Sequence, residues 1–129
     1  MSVNPLSHEE ISDHQTLLDE IPYAVLVIDT DSIIYCNNVT LELFNTQNAD
    51  DIIDRSITTF FPEKQSDGIV SKDQFLMYQS RANAGEKVLF DWVYQTLQSD
   101  LIFCKVTLHT IQYKGKTCLL EPRQLVKNG

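Results

Sequence analysis

The 129-residue chain is 43% hydrophobic and 22% charged, enough to bury the core of one domain without disulfides or metals. Eighteen acidic residues against ten basic ones leave a net charge of −8, which argues against a nucleic-acid binder and against an anionic membrane surface as partner. No apolar run reaches the ~20 residues of a membrane span. No leader peptide is expected from the N-terminus, and three widely spaced cysteines are not a secreted disulfide framework, so the expected compartment is the cytoplasm.

In chain order, the first segment reads as an amphipathic helix. Ser7 and Glu10 fit a capping box, Ile11, Leu17, Leu18 and Ile21 form an apolar stripe, and Pro22 stops it. Tyr23 to Ile28 is too short and too β-branched for a helix and reads as a strand. Asp29 to Ser32 is a turn, and Ile33 to Cys36 returns as the second strand of a hairpin. Asn37 can cap a short helix ending at Phe44, with Asn45 suited to the left-handed residue that follows. Asn48 can cap Ala49 to Arg55, and Ser56 can cap Ile57 to Phe61, which Pro62 terminates. Glu63 to Ser71 reads as a solvated loop.

A second capping box, Ser71 with Gln74, opens a helix to about Ala84. Phe75, Leu76, Gln79 and Ala82 set its face, and Gly85 ends it. The last third alternates with period two. Val88, Phe90, Trp92 and Tyr94 make one strand; Ile102, Cys104, Val106 and Leu108 set the face of a second; Thr117 to Glu121 is a third, ended by Pro122, after a turn at Tyr113 to Lys116. The expected fold is α+β: a five-stranded antiparallel sheet with short helices on one face and an N-terminal amphipathic helix. The expected boundaries are a helix over 1–22, a domain over 23–121 and a connector over 122–129.

With the elements placed, the sequence resembles a PAS sensory domain over about residues 12–121. Leu17-Leu18-Asp19-Glu20-Ile21-Pro22 before Val25-Leu26-Val27-Ile28-Asp29 is similar to that family's opening. Asn37 to Phe44 resembles its short helix ending in Glu-Leu-Phe, and Phe44 to Ser56 resembles its F-G-Y-x-N-A-D-E-L-I-G-R-S stretch. Phe61-Pro62, Phe90-x-Trp92, Val106-Thr107-Leu108 and Gly115-Lys116 with Leu119-Leu120 complete the series. Asn45 and Asp54 replace two of the family's glycines, Ser32 stands for a third, and Ser99-Asp100 stands for Asp-Gly. Pro122-Arg123-Gln124-Leu125 occupies the place of its terminal signalling segment.

The resemblance implies a sensory or regulatory module covalently attached to an output domain in a larger bacterial signalling protein. A diguanylate cyclase of the GGDEF type is the preferred output, because the Phe90-x-Trp92 to Leu108 style is similar to PAS domains found there; a histidine kinase is the alternative. This chain carries neither a phosphate-binding glycine loop nor either output motif, and is not expected to be an enzyme.

Chemistry on single residues finds little support. A flavin photosensor of this resemblance needs a reactive Cys on the helix after the first hairpin, and Ser56 to Phe61 has none, so covalently photocycling flavin is disfavoured. Haem is disfavoured because the helix from Lys72 to Ala84 has no His. His8 and His14 fall on the N-terminal helix, His109 faces away from Cys104 and Leu108, and Tyr78 reads as core. Cys36, Cys104 and Cys118 read as small buried hydrophobes. No Cys/His pair has zinc spacing, and Asp50, Asp51 and Asp54 read as a solvated face.

A pocket remains as a candidate. Parity nominates Val25, Val27, Phe90, Trp92, Cys104, Val106 and Leu108 as inward, with Phe44, Phe60, Phe75 and Tyr78 closing it from the helices. Asn37, Tyr78 and the Trp92 ring nitrogen could orient a ligand. The competing expectation, which composition favours, is that these aromatics fill the core and the domain acts only in dimerisation or docking. A third reading, a small isomerase-like enzyme, needs a buried carboxylate facing a cavity, and parity puts Asp91 outside. On the other face Leu89, Val93, Leu101 and Phe103 form an apolar patch that wants a cover. The N-terminal helix of this chain or of a second copy is the expected cover, making a homodimer.

Overall fold

The computed structural model describes residues 22–111 and 117–125. The expected N-terminal helix, with its Ser7–Glu10 cap, and the turn at Tyr113 to Lys116 lie outside the described residues. Five antiparallel strands form one sheet in the order β2-β1-β5-β4-β3, with β1 at Leu26–Asp29, β2 at Ser32–Cys36, β3 at Val88–Gln95, β4 at Leu101–Thr110 and β5 at Thr117–Gln124. Helix α1 spans Asn38–Leu43 and α2 spans Ser71–Asn83, with two single 3₁₀ turns between them at Ala49–Asp51 and Ile57–Phe60.

Register fixes which side chains point inward. Cys36, Leu26, Leu120, Leu108 and Val88 are cross-strand partners in turn, a row across all five strands in which no residue is more than 8% exposed. Partners directly opposite share a face, so Leu26 and Ile28 look into the core. Val27 looks the other way, paired with Leu119. The expectation that Val25 and Val27 face inward is therefore corrected by one residue. Six consecutive apolar residues carry no alternation from which to read parity, and a slip of one reverses the face. Val25 precedes the strand and is bound through its backbone N–H to Asn37 and Thr40.

Other boundaries shift for equally local reasons. The first strand begins at Leu26, not Tyr23. The two helical segments after Asn48 and Ser56 shorten to 3₁₀ turns, each still capped as expected: Asn48 accepts from the Asp50 N–H, and Ser56 accepts from the Thr58 N–H. The capping box at Ser71 does not form. The N-cap position is Val70, with no side-chain cap, because the Ser71 hydroxyl accepts instead from Gln65 Nε2 at 2.9 Å. Of the expected α2 face, Phe75 and Ala82 are buried but Leu76 is 61% exposed. Pro122 does not end β5; it sits within the strand opposite Val106, and the strand continues to Gln124.

Among the described residues, four non-glycine residues hold positive φ: Thr30 (57°), Asn45 (55°), Asp54 (70°) and Ser99 (70°). Asn45 and Asp54 stand where the resemblance expects glycine, and the backbone keeps the glycine-like conformation there. In the first hairpin the demand falls on Thr30, not Ser32. A two-residue turn closes with the Asp31 N–H donating to the Asp29 carbonyl at 2.6 Å. Between β3 and β4, Thr96 organises the turn: its hydroxyl accepts from the N–H groups of Gln98 and Asp100, and Ser99 takes the left-handed position.

Candidate functional site

The inner face of the sheet is closed by rings from three directions. From α1 comes Phe44, stacked on Phe60 of the second 3₁₀ turn at 4.8 Å between centroids and tilted against Tyr94 at 5.4 Å. Phe61, next in the chain, lies edge-on to Trp92 at 5.0 Å and within 6.0 Å of Tyr94. From α2, Phe75 meets Phe61 at 5.0 Å and Trp92 at 5.9 Å, while Tyr78, one turn on, stacks on Phe90 at 4.0 Å. The spacing of three between Phe75 and Tyr78 puts both on one helix face. The spacing of two along Phe90, Trp92 and Tyr94 puts all three on one strand face. Offset and edge-to-face pairs at these separations contribute about 0.5–1.5 kcal/mol each beyond their burial.

Of the nominated residues, Phe44, Phe60, Phe75, Tyr78, Phe90 and Trp92 thus meet in one continuous cluster. Cys104 lies opposite Trp92 in the sheet register, and Leu108 sits in the fully buried row between Val88 and Leu120. Asn37 is elsewhere and is occupied with structure. Its Oδ1 accepts from the N–H groups of Val25 and Thr40, both at 3.1 Å, and from the Thr40 hydroxyl at 2.8 Å. Its Nδ2 donates to the Tyr23 carbonyl at 2.9 Å. It caps α1 and fastens the lead into β1, and is not aimed at the aromatic cluster.

Sequence reasoning passed over Phe61, Tyr94, Gln65 and Gln74. The signal for Tyr94 was present, since it shares parity with Phe90 and Trp92. Gln65 gave none, lying in a segment read as a solvated loop. The structure corrects that reading, because Gln65 is only 9% exposed. Its Oε1 accepts from the Val93 N–H at 2.8 Å, and its Nε2 donates to the Val93 carbonyl at 3.1 Å. β3 is the last strand of the sheet, so the outward backbone groups of Val93 have no neighbouring strand. The Gln65 amide stands in for one and blocks the open edge. Val93 itself, expected on the exposed outer patch, is buried, whereas Leu89, Leu101 and Phe103 are 63%, 48% and 40% exposed.

Among the described residues, three buried polar atoms have no hydrogen-bond partner: Gln74 Oε1, Trp92 Nε1 and Tyr94 Oη. Buried polar groups are paired as a rule, and each exception costs about 1–3 kcal/mol. Burial also raises the Tyr94 phenol well above its ordinary pKa and pushes the Cys104 thiol up to about 12. Both stay protonated near neutrality, and a thiol so raised is a poor nucleophile. The Cys118 thiol is raised for the same reason. On the outer face Lys105 lies 3.8 Å from the opposing Asp91, and His109 lies 3.5 Å from Glu121. Both sites are away from the rings, as parity predicts.

A cleft of about 290 Å³ is lined by Gln65, Asp67, Gln74, Trp92, Phe103 and Leu125. Among the described residues there is no group of three or more His, Cys, Asp or Glu able to hold a metal ion, and no helix long and apolar enough to cross a membrane.

Residues 22–120 match the family profile described as PAS domain. No curated protein matches the chain. Among solved structures, the fold is similar to the LOV protein of Rhodobacter sphaeroides, with a TM-score of 0.75 at 9% identity over 95% of this chain and 71% of that one. It is also similar to the PAS domain of an HTR-like protein from Haloarcula marismortui, with a TM-score of 0.67 at 18% identity over 91% and 93%. A domain of a sensory box sensor histidine kinase/response regulator from Geobacter sulfurreducens gives 0.66 at 14% identity over 91% and 96%.

Proposed function

The chain belongs to the PAS domain family, and from that premise we propose that it is the regulatory module of a larger bacterial signalling protein with a GGDEF-type diguanylate cyclase as its output domain. The module makes and breaks no covalent bond itself. It biases the attached domain by shifting the population between two packings of helix on sheet. The observation that carries this reading is the aromatic contact between α2, Phe61 just after the second 3₁₀ turn, and β3, through which a small displacement of α2 reaches the sheet. The preferred output rests on the style of the Phe90-x-Trp92 strand. The sensor region of a histidine kinase is the second reading, favoured by the likeness to the Geobacter sulfurreducens domain.

The same cluster favours a filled helix–sheet interior over a ligand held among the rings, because ring meets ring at 4.0–6.2 Å throughout. Dimerisation then supplies the input. The exposed outer residues Leu89, Leu101 and Phe103 would meet the N-terminal segment of a second copy, in the cytoplasm.

Two measurements test these readings. Removing residues 1–20 should shift the mass in solution from dimer to monomer, and an unchanged ratio would sink the interface. In the full-length parent protein, Phe75→Ala should change cyclic-di-GMP synthesis at least severalfold; a parent with kinase activity and no cyclase activity would sink the preferred output.

A further inference from the structure

We propose that the open edge of β3 pairs with the same edge of a second copy of this chain, antiparallel and two-fold symmetric about Leu89, joining two sheets into one. This contact is additional to the outer-face contact proposed above and does not depend on which output domain is attached.

The two edges of the sheet are finished differently. Along β2 the chain itself lies alongside: the Ile33 N–H donates to the Arg55 carbonyl at 2.9 Å, the Asp54 N–H donates to the Ile33 carbonyl at 2.8 Å, and Ser32 bridges to Ser56. Along β3 the cover is one side chain on one residue, Gln65 on the N–H and carbonyl of Val93. Backbone groups alternate sides along an antiparallel strand, so Leu89 and Asp91 turn theirs to the same open side as Val93. Among the described residues no strand or loop pairs with them there. β3 is eight residues long and runs against β4 without a bulge, a regular edge able to template another strand.

The clamp and the charges select the same register. With Gln65 kept on Val93, the open row is Leu89 and Asp91, extended back by the alternation to Lys87. Behind Lys87 the chain turns at Gly85, whose φ is +99°. Pairing this row with itself about Leu89 sets Leu89 opposite Leu89 and, on both sides of it, Lys87 opposite Asp91. All the outward backbone groups of these residues are then met. A centre shifted toward Val93 sets Val93 against Lys87 and requires Gln65 to leave. A centre shifted back sets Asp91 against the turn at Gly85 and loses its bonds.

The side chains of this row suit the pairing. Leu89 is 63% exposed, and directly opposed residues share a face, so each Leu89 covers the other. Asp91 meets Lys105 through one carboxylate oxygen at 3.8 Å, which leaves the other to accept from Lys87 of the second copy. Ion pairs in so exposed a place contribute little; they choose the register, while the backbone bonds and Leu89 supply the attraction. Because Leu89 pairs with itself, the contact closes at two copies. It buries less than the ~1,200 Å² of a standard interface, so the dimer is weak and forms with rising concentration.

The test follows backbone amide exchange by NMR in the intact 129-residue chain, from micromolar to millimolar concentration, with sedimentation alongside. The Val93 N–H, held by Gln65, should exchange slowly throughout, whereas those of Leu89 and Asp91 should slow severalfold as concentration rises. Leu89→Pro removes an N–H that β4 does not use and should abolish the slowing at Asp91. Lys87→Asp and Asp91→Lys should each weaken the pairing about tenfold, since both symmetry-related ion pairs are reversed at once, and the double swap should restore it to within about threefold. Phe103→Ser, which cuts the outer-face contact, should leave the slowing unchanged. Exchange at Leu89 and Asp91 that ignores concentration would overturn the proposal, as would a double swap no better than either single change. Slowing lost with Phe103→Ser would assign it to the outer face, overturning the edge pairing while leaving the regulatory reading intact.

Discussion

At the β1–β2 end of the sheet, the buried polar groups close on one another. Asn37 uses both amide atoms, Thr40 both donates to the Val25 carbonyl at 2.9 Å and accepts from its N–H at 3.0 Å, and the chain entering β1 is fastened to the start of α1. At the β3 end, Gln65 does the same for Val93, but next to it Gln74, Trp92 and Tyr94 each bury a polar atom with no partner among the described residues. The two ends hold similar chemistry in similar burial and differ in satisfaction. A satisfied network contributes stability and specifies one geometry, whereas an unsatisfied one holds energy that a guest or a new contact can recover. The β1 end is therefore the better fixed of the two, and a new contact has more to recover at the β3 end.

Breaking the satisfied end should have the largest effect. Asn37→Ala removes the α1 cap and leaves the Tyr23 carbonyl unbonded, with an expected loss of about 2–4 kcal/mol in urea unfolding. A loss below about 1 kcal/mol would mean the network is dispensable and the contrast false. Alkaline pH should act on the other end next. The folded Cys104 has a pKa of about 12 against an ordinary 9, and Tyr94 is raised as well, so the unfolded chain releases these protons first. Stability is then fully present below pH ~9 and declines as pH rises through 12. Cys104→Ala should flatten that decline in denaturant midpoints measured between pH 9 and 11.

Tyr94→Phe sharpens the contrast with the opposite sign. Removing a hydroxyl that has no partner should leave stability unchanged or raise it by about 1 kcal/mol, where the same kind of deletion at Asn37 is costly. A clear loss would show that the hydroxyl is bonded in solution. The smallest effects compare the two hairpin turns. Thr30→Gly at one end and Ser99→Gly at the other relieve positive φ, for an expected gain of about 0.5–1 kcal/mol each in thermal unfolding. The gain should be larger at Thr30, whose branched Cβ tolerates that region least.

Sequence alone determined the elements whose cause is local. Period two set the faces of β3 and β4, Asn37, Asn48 and Ser56 announced their caps, and the Phe90–Trp92 and Phe75–Tyr78 spacings placed those rings together, because alternation, capping and helical pitch are short-range properties of the backbone. The tertiary structure alone decided what depends on a neighbour distant in the chain. The face of β1 came from its pairing with β5, since an unbroken apolar run has no parity of its own. Ser71 was diverted from capping by Gln65, and Gln65 was drawn from an apparent loop to an edge strand whose position only the sheet order reveals. The orphan atoms of Gln74, Trp92 and Tyr94 are of the same kind, because a hydrogen bond left unmade is a property of everything that packs around a side chain and not of the side chain itself.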